Sequence, residues 1–299
     1  MFMNLLFTGA SGFLGNSVLP LLKEKYTVFT IGLTQEDYVV NLAQDIPHLF
    51  EVYDVVLHAA GKAHFVPRTE IEKKMFFDIN LQGTKNLCTA LERSGVPKAF
   101  IFISTVAVYG CENGELITED HPLNGTTPYA KSKIQAENYL QNWCAKYDVL
   151  LSIIRPSLIA GPRPPGNLGA MIHGIKSGNY ARIAGGKARK SVLMVQDIAN
   201  LVPLLVEKGG VYNVCDTHHP SFFELETIIC KQLDKNVLFS IPNWLAKLIA
   251  VIGDCCGELV PMNSPKFEKM TKSLTFSNAK ALQELGWKPM NVLDNFRIE

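Results

Sequence analysis

The sequence predicts an α/β protein built on a doubly wound parallel sheet. Short, continuously apolar segments recur through the first half of the 299-residue chain, and strands of this kind belong to parallel sheets that helices cover on both faces. The segments alternate regularly with helix-like stretches, which predicts crossover units rather than hairpins. After about residue 160 this alternation gives way to a Pro/Gly-rich loop, "AGPRPPGNLG". We therefore expect a smaller C-terminal lobe.

The elements follow from the same pattern. Strands are predicted over 4–9, 27–32, 54–61, 99–105 and 149–156. Helices are predicted over 13–24, 76–94 and 129–146, the second ending before Gly95 and Pro97, as helices commonly do. Further helices are predicted over 170–177, 222–232 and 278–285. Residues 1–160 are expected to form the sheet domain, and residues 161–299 mainly a substrate-binding lobe interleaved with the last sheet strands.

Two apolar stretches need separate interpretation. The first, "MFMNLLFTGASGFLG", has no basic region and breaks into a glycine-rich turn, which favours a buried first strand over a secretion signal. The second, "NWLAKLIAVIGD" (243–254), is shorter than the roughly 20 residues that a membrane span needs. We expect it to pack within the core or the lobe, with an interface or a membrane surface as the alternative.

Composition narrows the function classes. The net charge of +1 provides no global field that would attract nucleic acid or a membrane, so we expect neither as a partner. Seven cysteines without a CxxC pair, Cys255 and Cys256 being adjacent, predict reduced thiols in a cytoplasmic protein. No cluster of ligands predicts a metal site. For the lone histidines His64 and His173 a structural role is favoured.

The turn after the first strand carries a functional signal. In "TGASGFLG", Gly9, Gly12 and Gly15 stand where the strand leads into a helix. Missing Cβ atoms let a ligand approach the backbone, and a helix N-terminus offers N–H groups and a partial positive charge. In this strand–turn–helix context the glycines predict binding of a dinucleotide pyrophosphate.

A second signal lies in "TPYAKSKIQAE" (127–137). Tyr129 and Lys133 are four residues apart, so a helix points both side chains the same way. A free phenol has a pKa of about 10, and a nearby ammonium should lower it toward the range of a useful base. Thr105 ends the strand over 99–105, at the edge of the sheet where ligands gather, and Ser104 is the alternative.

Together these motifs resemble the extended short-chain dehydrogenase/reductase superfamily, specifically the NAD-dependent epimerase/dehydratase members that modify nucleotide sugars. The glycine spacing is GxxGxxG, and "YAKSK" follows downstream. Five further stretches match and extend the resemblance over nearly the whole chain: "HAAG" (58–61), "NLQGTKNL" (80–87), "STVAVYG" (104–110), "RPSLIAGP" (155–162) and "LGWKP" (285–289). The resemblance implies a Rossmann-type fold.

The resemblance also implies the site residues. Catalysis would be carried by Thr105, Tyr129 and Lys133. The cofactor, NAD or NADP, would contact Gly9, Ser11, Gly12, Phe13, Leu14, Gly15, Gly32, Ala59, Ala60, Gly61, Asn80, Ser104, Tyr129, Lys133, Pro156 and Leu158. The substrate would contact Thr105, Tyr129, Asn167, Arg189 and Lys190. In this register Lys190 stands at the place of a phosphate-binding Arg, with Arg189 beside it.

The cofactor choice stays open at this point. A carboxylate at the end of the second strand would bind the ribose 2′-hydroxyl of NAD, but Gly32 occupies that place and Asp37 is further along the chain. No Arg follows closely to bind the 2′-phosphate of NADP. The stretch from Gly32 to Asp54 is also short for the family.

Three reactions share this machinery. A 4,6-dehydratase would need an Asp-Glu pair directly after the Thr, where this chain has Val106 and Ala107, so we expect no dehydratase. A 4-epimerase would oxidise C4 of the sugar and return the hydride to the other face. A 4-keto reductase would use the same residues with NAD(P)H entering each turnover. These two remain open, with the epimerase placed first.

The resemblance further implies the partners. The substrate would be a UDP-, dTDP- or GDP-linked sugar, and surface polysaccharide precursors are the usual destination in this family. A homodimer through the helices near 76–94 and 129–146 is expected. Less favoured are a reductase of a non-sugar substrate, which the predicted phosphate contacts disfavour, and a catalytically silent regulator that only binds the cofactor.

Overall fold

The computed structural model describes residues 2–63, 65–237, 239–256 and 262–299, of which 255 and 256 by their backbone only. Within this part, seven parallel strands form the main sheet. Helices cover both of its faces, which confirms the predicted doubly wound α/β fold of the Rossmann type.

The strands in chain order are β1 (Asn4–Thr8), β2 (Thr27–Gly32), β3 (Tyr38–Val39), β4 (Val55–His58), β5 (Ala99–Ile103), β6 (Gly114–Ile117), β7 (Leu150–Pro156), β8 (Leu158–Ala160), β9 (Ala181–Ile183), β10 (Val192–Met194), β11 (Gly210–Val214), β12 (Phe239–Ile241) and β13 (Leu274–Phe276). The helices are α1 (Phe13–Lys23), α2 (Glu70–Phe77), α3 (Gly83–Ser94), α4 (Pro128–Tyr147), α5 (Gly166–Lys176), α6 (Gln196–Leu205), α7 (Phe222–Leu233), α8 (Asn243–Cys256), α9 (Ser264–Thr271), α10 (Ala279–Leu285) and α11 (Val292–Asn295). A π-helical turn (Asp78–Gln82) joins α2 to α3, and 3₁₀ turns cover Val106–Tyr109 and Ala184–Gly186.

The strand order of the main sheet locates the site. It runs β11-β7-β5-β4-β1-β2-β3, so the direction of winding reverses between β1 and β4. Thr8 at the end of β1 is paired with His58 at the end of β4. A ligand of an open parallel sheet binds in the crevice outside the carboxyl ends of the strands at such a reversal.

Both faces of the main sheet are buried, which explains its uninterrupted apolar strands. On β1, Leu5 and Phe7 join the cluster that contains α1 and α6, whereas Leu6 joins the cluster on the other face with α3 and α4. Successive strand residues point to opposite faces, so both sets must be apolar here. The alternation of polar and apolar residues that marks a half-exposed strand is therefore missing.

The second half of the chain contributes to two layers. Its own cluster packs α5 against α7, with Leu168, Ile172 and Ile229 at the centre. The same half returns β11 to the main sheet beside β7, and β13 pairs with β6. The two halves are thus interleaved, while the division into residues 1–160 and 161–299 stays a prediction.

Several element boundaries differ from the predicted ones. The helix expected to begin at residue 76 begins with α2 at Glu70, because Thr69 and Glu72 form a reciprocal capping box there. The helix expected from residue 170 begins with α5 at Gly166. The strands expected over 54–61 and 99–105 end at His58 and Ile103. Their last predicted residues leave the sheet and form loops at its carboxyl edge.

The prediction that the apolar segment 243–254 packs within the core or the lobe is right for one face of the helix and wrong for the other. In α8, Trp244 is 69% exposed and Leu248 is 52% exposed, whereas Ala246 and Ala250 are buried. The helix therefore turns its small residues inward and its large apolar residues outward. No described helix has the length and apolar content that a membrane crossing requires.

Candidate active site

The glycine turn brings β1, α1 and the loop after β4 into close contact. Gly9 has a φ of 81°, and a Cβ atom built on it would lie 2.7 Å from the Ala60 nitrogen. A Cβ atom on Gly15 would lie 2.3 Å from the carbonyl oxygens of Gly9 and Ala10. Side chains at these two positions would therefore push apart the segments that meet at the reversal of the sheet.

The N-terminus of α1 faces this junction without a cap. Gly12 is the N-cap residue, no side chain caps the N–H groups of the first turn, and that turn holds no acidic residue. Ser11 and Gly12 are exposed, and Phe13 and Leu14 are half-buried. Uncapped N–H groups and the helix dipole together favour an anion. This end of α1 fits the diphosphate of a dinucleotide.

A buried chain of hydrogen bonds fixes the loop after β4. Thr8 Oγ1 lies 2.6 Å from His58 Nδ1 and accepts a bond from the Ala60 N–H at 3.1 Å. His58 Nε2 lies 2.9 Å from Thr84 Oγ1, which donates to the carbonyl of Asn80. Burial lowers the pKa of His58 to about 3, so the ring is neutral. Ala59 and Ala60 are thereby held against the glycine turn. The motif "HAAG" marked this loop, but the sequence did not show that its His is structural.

Asn80 locks the same loop to α4. It lies 1% exposed in the π-helical turn. Its Oδ1 accepts from the Lys62 N–H at 2.7 Å, and its Nδ2 donates to Ser132 Oγ at 2.9 Å. A Cβ atom on Gly61 would lie 2.9 Å from Asn80 Oδ1 and 3.3 Å from Lys133 Nζ. The structure therefore brings together Gly61, Asn80 and Lys133, three residues that the sequence assigned to one site.

Lys133 is buried at the carboxyl edge of the sheet. Its ammonium donates to the Ile103 carbonyl at 2.8 Å and lies 4.5 Å from the centroid of the Phe102 ring. Burial lowers the pKa of Lys133 to about 8, while the charge of Glu137, one helical turn later, opposes this shift. The side chain is a fixed donor whose charge is sensitive to its surroundings.

Tyr129 and Thr105 meet across the entrance to α4. Thr127 caps the helix by accepting from the Ala130 N–H at 3.1 Å, which places Tyr129 in the first turn. Its ring packs 6.1 Å from that of Phe76. Burial raises the pKa of Tyr129, and a hydrogen bond with Thr105 acts in the lowering direction.

The expected effect of Lys133 on the Tyr129 pKa is therefore corrected. We expected the ammonium to lower the pKa of the phenol, but in this structure burial dominates and raises it. Lys133 Nζ is directed to the Ile103 carbonyl. Thr105 is the residue whose contact lowers the phenol pKa.

Beneath these residues lies a buried polar network. Ser104 Oγ donates to Glu137, and Arg155 donates to the same carboxylate through Nε at 3.2 Å and Nη2 at 2.6 Å. Arg155 Nη1 also donates to Tyr109 Oη at 3.0 Å. The Ser104 hydroxyl is thus engaged inside the protein, which leaves Thr105 at the reacting position. The sequence offered one signal for this pair, a Glu and an Arg within otherwise apolar faces of α4 and β7.

One buried hydroxyl near the strand ends has no partner. Ser157 stands between Pro156 and Leu158, and its Oγ makes no hydrogen bond within the described part of the chain. Buried polar atoms are normally paired, so this hydroxyl suits a polar group of a bound molecule. With the uncapped α1 and the glycine turn, it fits a dinucleotide lying across the sheet edge.

A carboxylate does lie at the end of β2, although Gly32 stands there. A Cβ atom on Gly32 would lie 2.8 Å from Glu36 Cγ and 2.9 Å from Glu36 Oε1. Gln35, with a φ of 55°, turns the chain so that Glu36 folds back over the strand end. Asp37 instead accepts from the N–H and hydroxyl of Thr30 at 2.8 and 2.9 Å. Sequence reasoning missed Glu36, because a turn conformation determines its position.

Of the predicted substrate residues of the second half, Asn167 and Arg189 are exposed and Lys190 is half-buried. Asn167 is exposed at the start of α5. Arg189 donates to the His219 carbonyl at 2.8 Å, and Lys190 donates to the Lys272 carbonyl at 2.9 Å. Burial lowers the pKa of Lys190 to about 8. Within the described residues, none of these contacts involves Tyr129.

Arg189 does border a cavity in this region. The cavity has a volume of about 400 Å³ and is also lined by Arg182 and Lys187. Of the two lone histidines, His173 is exposed on α5, and His64 lies outside the described residues.

The fold and these contacts define a class of protein, an enzyme that places a dinucleotide at the reversal of a parallel sheet beside a Tyr and a Lys. The chain belongs to the NAD dependent epimerase/dehydratase family, whose pattern matches residues 5–215. This confirms the resemblance that the motifs indicated.

Known proteins similar to this chain support the family assignment. The N-acetyl-alpha-D-glucosaminyl-diphospho-ditrans,octacis-undecaprenol 4-epimerase of Escherichia coli O157:H7 is 30% identical over 78% of this chain and 73% of its own. The UDP-glucose 4-epimerase of Vibrio cholerae is 28% identical over 97% of this chain and 92% of its own. The structure of RMD from Pseudomonas aeruginosa, complexed with NADPH, superposes with a TM-score of 0.74 at 23% identity, covering 98% of this chain and 96% of that one. It shares the fold.

Proposed function

We propose that the protein is an NAD(P)-dependent 4-epimerase of a diphosphate-linked sugar. The observation that carries this proposal is the corner at the carboxyl edge of the sheet. There Thr105 acts to lower the pKa of Tyr129, which burial raises, while Lys133 and Asn80 converge on Gly61. The two relatives named above, both 4-epimerases, support this reading.

The roles of the residues follow from their positions. When bound, the dinucleotide supplies a hydride acceptor and donor for C4 of the sugar. Tyr129 takes the proton from the C4 hydroxyl and returns it, and Thr105 holds the same oxygen by a hydrogen bond. Lys133 donates to the ribose beside them.

Glu36 favours NAD over NADP. Its carboxylate lies over Gly32, at the end of β2, where an acidic residue accepts hydrogen bonds from the adenosine ribose. A 2′-phosphate in that place would meet a like charge. The preference left open by the sequence is thus assigned to NAD, with Glu36 as the discriminating residue.

A 4-keto sugar reductase is the second candidate. It needs the same Thr105, Tyr129 and Lys133, and one structural feature favours it. The stretch from Gly32 to Asp54 is short for the family, and β3 is its only described strand, which is consistent with a trimmed adenosine side. Such a trimmed side would ease cofactor exchange. A dehydratase is disfavoured because Val106 and Ala107 have no acid–base groups.

Product analysis tests the proposal. Purified protein would be assayed for retained NAD and incubated with UDP-, dTDP- and GDP-hexoses, and with an undecaprenyl-diphosphate-linked N-acetylhexosamine. We expect one of these to be converted to its C4 epimer without net NAD(P)H consumption. Steady NAD(P)H oxidation on a 4-keto sugar, with no epimer formed, would instead establish the reductase. Absence of turnover on every substrate would contradict both.

Cofactor titration tests Glu36. Dissociation constants for NAD and NADP would be measured for the wild type, for Glu36→Gln and for the matched control Asp37→Asn. We expect Glu36→Gln to reduce the preference for NAD about tenfold, and Asp37→Asn to preserve it, because the Asp37 carboxylate is bonded to Thr30. An unchanged ratio in Glu36→Gln would refute the assignment.

A further inference from the structure

Helix α8 has an outward apolar face that nothing in the described part of the chain covers. Its large apolar residues recur at spacings of three and four, which places them on one side of a helix. We call this set the apolar stripe: Trp244, Leu248, Val251 and Ile252, exposed by 69%, 52%, 51% and 47%. The opposite side is made of buried Ala246, Ala250 and Gly253. Single exposed apolar residues are ordinary, but a contiguous patch marks an interaction site.

The rim of the apolar stripe is cationic. Lys247 is exposed and lies at its edge, three residues after Trp244. Helix α9 packs against α8; it carries Lys269 and is followed by Lys272, which form exposed ion pairs with Glu112 and Glu268. The exposed acidic groups nearby are Asp254 of α8, which accepts from the Ser264 N–H at 2.9 Å, and Glu112 and Glu268, the partners of these two lysines. Exposed pairs such as these two exchange readily for other counter-ions.

Size and charge argue against a second copy of the chain as the occupant. The 14 residues of α8 give a face about 21 Å long and about 10 Å wide, or roughly 200 Å². A stable interface buries about 800 Å² on each partner. A two-fold pairing of the stripe would also bring the same lysine rim of both copies together.

Neither the small area of the stripe nor its positive charge argues against a lipid surface as the occupant. An amphipathic helix lying in the headgroup layer needs one apolar face with Trp and Leu, flanked by cations. Lysines at the rim gain from the negative potential of anionic lipids. Trp244 near the start of the helix is suited to this layer, because its ring is apolar and its N–H is polar.

We propose that the apolar stripe of α8 is a docking site for an anionic membrane surface. Trp244, Leu248, Val251 and Ile252 enter the interfacial layer, and Lys247 at the edge of the stripe faces the headgroups. The helix lies on the bilayer and does not cross it. This inference goes beyond the proposed function and does not depend on it.

Tryptophan fluorescence reports this docking directly. The chain has three tryptophans, and Trp143 and Trp287 are only 5% and 3% exposed. A change in emission on adding vesicles therefore reports Trp244. Full-length protein would be titrated with vesicles of pure phosphatidylcholine, and with vesicles of phosphatidylcholine and phosphatidylglycerol in equal parts, with sedimentation in parallel. We expect a blue shift and co-sedimentation with the mixed vesicles, weakened by salt.

Matched variants separate the apolar from the ionic contribution. Leu248→Ser/Ile252→Ser should weaken binding to the mixed vesicles by about tenfold or more, because apolar burial drives insertion. Lys247→Glu should weaken binding to the mixed vesicles and leave that to pure phosphatidylcholine unchanged. Ile71→Ser, at a site 78% exposed on α2, is the control and should bind as the wild type does. Thermal unfolding would verify that all variants fold.

Two outcomes would overturn the proposal. One is the absence of any emission shift or sedimentation with either vesicle. The other is a wild-type oligomer that the Leu248→Ser/Ile252→Ser variant dissociates in light-scattering measurements, which would make the apolar stripe a contact between copies of the chain.

Discussion

Lys133 and Lys190 lie in different halves of the chain and have the same kind of perturbed charge. Burial lowers the pKa of each to about 8, and each donates to a backbone carbonyl, Lys133 to Ile103 and Lys190 to Lys272. Their surroundings differ. Lys133 lies beside Gly61 and Asn80 at the reversal of the main sheet, whereas Lys190 lies between α9 and the ring of Phe222.

The comparison shows that a lowered pKa alone does not identify a functional lysine. Structural burial shifts a charge just as an active site does, so the assignment must come from what else converges on the group. At Lys133 a glycine that admits a ligand, a buried Asn and a Tyr–Thr pair converge. For Lys190, only its alignment with the family's phosphate-binding Arg suggested a functional role. Four experiments, in order of decreasing effect, test this difference.

The largest effect is expected from Tyr129→Phe. Removing the hydroxyl removes the proton donor and acceptor, so kcat should fall about 10³-fold. The cofactor affinity should stay within about threefold, because the ring remains packed on Phe76. Turnover would be measured on the substrate found by product analysis, and cofactor binding by titration. A variant with full activity would contradict the mechanism.

The second-largest effect is expected in the buried polar network of Ser104, Glu137 and Arg155. Arg155→Met would leave Glu137, which is 0% exposed, as an uncompensated buried charge and should lower the free energy of unfolding by about 3 kcal/mol. Denaturant unfolding measures it. Arg163→Met, which removes an exposed pair with Glu299, is the control and should cost less than about 1 kcal/mol.

The double variant Arg155→Met/Glu137→Leu sharpens the same test. Replacing both charges by apolar groups avoids the unpaired carboxylate, so part of the lost stability should return. If the double variant is less stable than Arg155→Met by the full cost of a second deletion, the two residues do not act as a pair.

The third effect is a pH dependence of the free energy of unfolding, to which Lys133 and Lys190 both contribute. A lysine whose folded-state pKa is depressed binds fewer protons in the folded protein than in the unfolded one. Its burial penalty is therefore complete below about pH 8 and is relieved as the pH rises toward 10.5. Lys133→Met should remove about 2 kcal/mol of this rise in unfolding free energy.

Lys190→Met should remove a smaller part of the rise, because Lys190 is only partly buried. Unfolding would be measured at several pH values from 7 to 10. If the unfolding free energy of the wild type rises with pH no more than that of Lys133→Met, then Lys133 is not held in the buried position.

The sequence could predict the features that depend on residues close together in the chain, but not those that depend on residues far apart in it. Strand β1, the glycine turn and the Tyr129–Lys133 spacing on α4 follow from local periodicity and short motifs, and the chain folds accordingly. The pair of Glu137 and Arg155 is separated by 18 positions and forms only when α4 packs on β7. Glu36 reaches Gly32 through the conformation of Gln35.

The orientation of α8 shows a further limit. Its composition indicated a packed helix, but packing is decided by which side chains the neighbouring elements leave room for. Ala246 and Ala250 are buried on the inner face of α8, which packs against α9, and Trp244 and Leu248 are on its outer face. An apolar segment of this length therefore predicts a helix without predicting which of its faces is buried.

The smallest expected effect tests whether Arg189 or Lys190 binds the diphosphate of the proposed substrate. Arg189 borders the cavity that Arg182 and Lys187 also line, and its planar guanidinium can bind two phosphate oxygens. Lys190 Nζ is directed away to the Lys272 carbonyl. Arg189→Met should raise KM about tenfold, and Lys190→Met should change KM by less than about threefold. Both KM values would be measured on one substrate at saturating cofactor. A larger increase of KM for Lys190→Met than for Arg189→Met would show that Lys190 takes the place of the family's phosphate-binding Arg. Equally small changes of KM in both variants would show that neither residue belongs to the substrate site.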